Sequence, residues 1–220
     1  MRRLILAVLI LAAVVVTSAI LVSVLRRTGS SPAAQAVERG DFEAALAAAR
    51  TGRGASRDEL FAAAVSARHL LRFDEARRLL ARILAADPSD GEAWLESGLA
   101  AAYAGGTGEL EDASHKLLRA AALRSDLAES ITLHRAWIEL RKGDLREARH
   151  LFDDVETSLE NKLRTDLGGG EPLFAEWFLQ ASQLWAALGD PERAAWAWEE
   201  GRRSAGGSRL PELLRPIQNP

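Results

Sequence analysis

A turn of one form recurs along this chain, closing one helix each time and opening the next. Gly143-Asp144-Leu145-Arg146-Glu147-Ala148 shows it most fully. The glycine takes the positive φ that ends a helix, and the aspartate offers an oxygen to the first free amides of the following one. Leu145 and Ala148 then begin an apolar stripe at helical spacing. The same form stands at Gly40-Asp41-Phe42-Glu43-Ala44-Ala45, Arg72-Phe73-Asp74-Glu75-Ala76, Gly108-Glu109-Leu110-Glu111-Asp112-Ala113 and Gly189-Asp190-Pro191-Glu192-Arg193-Ala194. Ala45, Ala76, Ala113, Ala148 and Ala194 lie 31, 37, 35 and 46 residues apart. Two helices per unit at such a period predict an all-α solenoid of about five helix-turn-helix units. Valine and isoleucine are scarce after residue 28, which further disfavours sheet.

The array is expected over residues 32–204, behind a connector at 28–31 and ahead of a tail at 205–220. Ser31-Pro32 starts the first helix, and Ser56-Arg57-Asp58-Glu59 is a capping box. Ser89-Asp90-Gly91-Glu92 is read as a second box, and Asp126 as another cap. One long helix is expected from Asp144 towards Arg164. In the tail, Leu210 to Leu214 is expected to add a turn against the open end of the array.

Residues 1–27 differ in kind. Leu4 to Leu25 is 22 residues without a charge, bracketed by Arg2-Arg3 and Arg26-Arg27. As a helix it spans roughly 33 Å, enough to cross a hydrocarbon core. An uncleaved single-pass anchor is the expectation, with cleavage near Thr17-Ser18-Ala19 as the alternative. The soluble region is expected outside the cytoplasm, and the composition resembles that of a bacterial protein of high genomic GC content. Leaving aside those four arginines, 24 basic residues face 31 acidic ones, which argues against nucleic acid as a partner.

At this point the sequence resembles the tetratricopeptide repeat family. Trp94 and Gly98 fit that family's first-helix pattern of a large residue followed by a small one. Gly40, Phe42 and Ala45 fit its turn, and Ala76 with Pro88 its second helix and terminator. Phe178, Ser182, Trp185, Gly189 and Ala194 fit the last unit. The resemblance implies a concave groove lined by the first helix of each pair. Carried onto this chain at steps of three and four, the groove residues are Phe61, Arg68 and His69, with Asp58 and Val65 beside them. Glu92, Leu95, Leu99 and Tyr103 follow, then Leu133, Trp137 and Arg141, then Leu179 and Gln183 beside Glu176. Trp94, Trp185, Trp196 and Trp198 are expected in the core, whereas Trp137 is expected in the groove. The family's carboxylate-reading members use asparagines on first helices. The only asparagines here, Asn161 and Asn219, do not lie there, which argues against that class of partner.

No chemistry announces itself. The chain has no cysteine, and none of His69, His115, His134 and His150 has a ligand partner of the HExxH kind. Nucleophile-elbow, phosphate-loop and dinucleotide motifs are missing, and Asp153, Asp154 and Glu156 read as a solvated helix face. No cofactor or metal is expected, and no enzyme. The expected function is a non-catalytic protein-interaction module or scaffold at a membrane, gripping a peptide or helix in the groove. Two alternatives stay open. One is a client-holding factor in envelope or cytochrome c assembly. The other is a structural subunit whose groove is filled by a second copy or by its own terminus.

Overall fold

The computed structural model describes residues 31–51, 55–165 and 174–215. The expected anchor, Leu4 to Leu25, lies outside them. Among the described residues no helix is long and apolar enough to cross a membrane. The helices are α1 (Pro32–Glu38), α2 (Phe42–Thr51), α3 (Arg57–His69), α4 (Phe73–Ala86), α5 (Gly91–Ala104) and α6 (Thr107–Leu123). After them come α7 (Ala128–Lys142), α8 (Leu145–Asp153), α9 (Glu156–Thr165), α10 (Ala175–Ala187), α11 (Pro191–Ser204) and α12 (Leu210–Leu213). The pairs α1/α2, α3/α4, α5/α6, α7/α8 and α10/α11 are the expected units.

The recurrent turn performs the two tasks its residues suggest. At Gly40, Gly143 and Gly189 φ is positive, and the residue after each sends its amide back five positions, to Ala36, Glu139 and Trp185, at 2.9, 3.0 and 2.8 Å. The aspartates then cap forward: Asp41 accepts from Ala44 N–H, Asp144 from Glu147 and Asp190 from Arg193. The second unit has no glycine there, yet Leu71 takes φ 60° and Arg72 N–H reaches Ala67 O at 2.7 Å. A left-handed leucine costs roughly 1–2 kcal/mol. Packing of Leu71 against the main core cluster offsets that strain.

Four boundaries differ from expectation. The turn before α6 falls at Gly105-Gly106, both with positive φ, and Gly108 lies inside the helix, which begins at Thr107. The cap of α5 is Asp90, which accepts from Ala93 N–H, while Ser89 is bound to Asp87. Asp126 caps nothing. It pairs with Arg124, and a 3₁₀ turn (Ser125–Leu127) feeds α7 with no side-chain cap. The long helix after Asp144 is two helices, broken at Asp154-Val155. The break turns buried Val155 and Leu159 into the core behind Phe152.

Small residues set the closest helix approaches. A Cβ on Gly98 would sit 3.0 Å from Leu117, and one on Gly201 2.9 Å from Leu179. Bulky residues fill the space between units, with Trp185 edge-on to Phe152 at 5.7 Å and also beside Trp196.

Candidate functional site

The first helices α3, α5, α7 and α10 do face one another, as the repeat pattern requires. The surface between them is sealed. Arg68, His69, Leu99, Tyr103, Leu133, Trp137 and Leu179 are all buried. Phe61, Glu92, Leu95 and Gln183 are half-buried, and Arg141 is exposed. Trp137, expected in an open groove, has no exposed surface at all and belongs to the core with Trp185. Seven of the twelve expected groove residues are thus unavailable to a partner in this state.

Two features cause this. The first is that the array curls until its second and fifth units touch. Arg68 on α3 donates from Nε and Nη2 to Glu96 on α5 at 2.7 and 3.2 Å, and from Nη1 to Glu176 on α10 at 2.7 Å. Tyr103 O–H donates to Glu176, and Gln180 Nε2 donates to Tyr103 at 2.7 Å. His134 Nδ1 meets Gln180 Oε1 at 2.7 Å, and Trp137 Nε1 donates to Gln183 at 2.6 Å. One polar chain therefore joins four units through the interior.

Burial governs the protonation of these groups. Burial opposes the charge on Arg68, but Glu176 and Glu96 outweigh it and hold the guanidinium firmly ionised. Burial also opposes a charged Glu176, yet Arg68 and the two nearby imidazoles bring it down to about 2. Glu96 moves the other way, raised by burial and by Glu176 beside it despite Arg68. Burial depresses His69 to about 3, with Arg68 adding to the effect, and burial lowers His134 too.

The sign for stability follows. His69, His134 and Glu176 each bind a proton more readily unfolded than folded, so each stabilises fully above its unfolded pKa and loses that as pH falls. The window opens near 6.5 for the imidazoles and near 4.5 for Glu176, and runs down towards about 3 for His69 and about 2 for Glu176. Glu96 offsets part of it. Each imidazole that must stay neutral costs about 1.4 kcal/mol per pH unit below 6.5. Thermal melts at pH 7, 5.5 and 4 are expected to show a progressive fall, whereas a flat profile would contradict the buried neutral imidazoles.

The second feature is the C-terminal segment, residues 205–215, which lies across the mouth of the concave side. Gly207 N–H bonds Gly40 O at 3.1 Å, and Arg209 N–H bonds His69 O at 2.8 Å. Ser208 Oγ lies 2.9 Å from His69 Nδ1, whose ring stacks on Phe42 at 4.2 Å. Leu210 and Leu214 are buried in the main core cluster, and Gln183 Nε2 donates to Arg215 O at 3.1 Å. Beside the segment lies a cavity of about 470 Å³, lined by Leu140, Arg141, Gln183, Ala186 and Ala187 together with the segment's own Leu213 and Arg215. The guanidinium of Arg141 lies over Trp137 at 5.2 Å.

No family model matches the sequence, and no curated protein matches it. The likeness is to solved structures. The Rap conjugation gene regulator of plasmid pLS20, determined in complex with the Phr* peptide, superposes over 79% of this chain and 51% of its own, with a TM-score of 0.57 and 13% identity. The MamA protein superposes over 79% of this chain and 87% of its own, with a TM-score of 0.46 and 16% identity. The fold is tetratricopeptide-like. This tetratricopeptide-like array spans about half the length of the Rap regulator, and the likeness is one of fold.

Among the described residues of the array, no group of histidines and carboxylates is placed to hold a metal ion. Glu96, His134 and Gln180 lie outside the groove residues that the repeat spacing selects. A step of four from Glu92 reaches Glu96, and a step of four from Glu176 reaches Gln180, so a stricter i+4 reading finds both.

Proposed function

We propose that this chain is a non-catalytic protein-interaction module or assembly scaffold, tethered to a membrane by Leu4 to Leu25, whose concave side takes a peptide or short helix. The supporting observation is that this side already receives polypeptide. Residues 207–215 lie on it, held by the main-chain groups of Gly40 and His69 and by two inward leucines. The Rap regulator of like fold was solved with a peptide. Tethering would raise the effective concentration of the module for partners at the same surface. In this reading the soluble region lies outside the cytoplasm, and a reporter fused after residue 220 reads the orientation.

A second reading has an observation of its own. The concave side is filled by the chain itself, as a purely structural subunit would have it. A photoreactive residue in place of Arg141, which is exposed beside the cavity, separates the two in full-length chain in cells. The interaction reading expects a discrete crosslinked protein that disappears when Leu140 is also changed to Glu. Products from solvent and lipid alone leave the structural subunit.

A further inference from the structure

Resting on the interaction-module reading, we infer that the cleft beneath residues 205–215 is a peptide site that the chain's own C-terminal segment occupies reversibly. Its external ligand is a short peptide with two leucines four residues apart and an acid after the second. The segment enters between glycines. Gly206 has φ +55°, and a Cβ on Gly207 would lie 2.9 Å from Gly40 O, so this crossing admits a bare backbone only. Three of its polar contacts are made by its main chain: Gly207 N–H, Arg209 N–H and Arg215 O. The cleft thus reads backbone plus leucine, which another peptide can supply equally well.

The hold is slight for its length. Leu210 and Leu214 are inward, Leu213 is 37% exposed, and α12 is only four residues long. Two leucines and a handful of hydrogen bonds oppose the entropy of ordering about ten residues. A cavity lies between the segment's Leu213 and Arg215 and the array's Leu140, Arg141 and Gln183. Arg141, exposed on its rim, makes no ion pair with any described residue, whereas buried Arg68 is paired with both Glu96 and Glu176. A peptide whose acid follows its second leucine meets Arg141 first and then competes for the leucine sites.

The probe is a fluorescein-labelled peptide of residues 205–215, with Arg215 changed to Glu, added to the full chain. With Leu210→Asp and Leu214→Asp in the resident segment, the full chain is expected to bind the probe at least about tenfold more tightly than the unaltered chain. This follows because a short tether gives the resident segment an effective concentration of order millimolar. The same probe carrying both Asp changes does not bind, and Arg141→Gln in the variant weakens binding of the acidic probe only. Equal affinity for altered and unaltered chains overturns the proposal. So does loss of the folded state in the variant, since the segment is then a fixed part of the core. In the unaltered protein, the amides of Gly207, Arg209 and Leu214 should exchange at least about 100-fold faster than those of Leu179 to Leu184. Equal protection also overturns it. If these tests fail while the Arg141 crosslink still captures its protein, only the reversible segment is lost and the interaction module stands.

Discussion

Arg68→Met lowers stability by about 3–5 kcal/mol, because it strands two buried carboxylates without their cation. Methionine fills much of the space, so packing is not the main loss. Glu96 and Glu176 are left facing each other in a site where Arg68 is 2% exposed. The melting temperature of a domain this size should fall by roughly 10 °C. A pH scan then tests the cause. Without Arg68 both carboxyls titrate above their unfolded values. A raised acid stabilises below its unfolded pKa and loses that as pH rises. The variant should therefore regain part of its stability between pH 7 and pH 5, opposite in sign to the unaltered chain. Adding Glu96→Gln and Glu176→Gln should recover most of the loss, since paired removal of buried charge is far milder than removal of one partner. A loss that ignores both pH and the two Gln changes would mean that volume, not charge, is what Arg68 supplies.

Trp137→Ala is expected to be comparably severe, at about 3–5 kcal/mol. The indole has no exposed surface, lies 4.9 Å from the Tyr103 ring, carries Arg141 above it and donates to Gln183. Its removal opens a cavity between the fourth and fifth units and leaves Gln183 Oε1 without its donor. The check is calorimetric unfolding of the variant beside Leu145→Ala. Leu145 is 46% exposed, and its change should cost within about 0.5 kcal/mol. A Trp137→Ala protein with an unaltered melt but lost partner binding would restore the groove role that its position on α7 first suggests.

Trp137 also shows where inference from sequence stops. Its helix, its face and its neighbours at Leu133 and Arg141 follow from period and turn chemistry, because those are local. The tetratricopeptide-like units, their caps at Asp41, Asp144 and Asp190, and the packing of Gly98 follow for the same reason. What does not follow is whether that face ends up open or closed. This depends on small rotations between successive units, accumulated over the whole array. The 46-residue interval before Ala194, which includes α9, is where the recurrence is loosest. The contact of Arg68 with Glu176 spans 108 residues, and no local pattern encodes it. The break at Val155 hides in a run of good helix formers and is decided by what Val155 and Leu159 can bury.

The contact between the second and fifth units changes how such an array comes apart. In an open solenoid each unit feels only its neighbours, so the ends fray first and melting proceeds along the chain. Here the bond from Arg68 to Glu176, and the C-terminal segment bonded to Gly40, His69 and Gln183, tie early units to late ones. A repeat protein built this way behaves less like a row of dominoes and more like a clasped bracelet. Loosening any unit between the two halves of the clasp loosens both, so unfolding is concerted. Folding must in turn close a long loop before the clasp can form, a requirement that slows its final step.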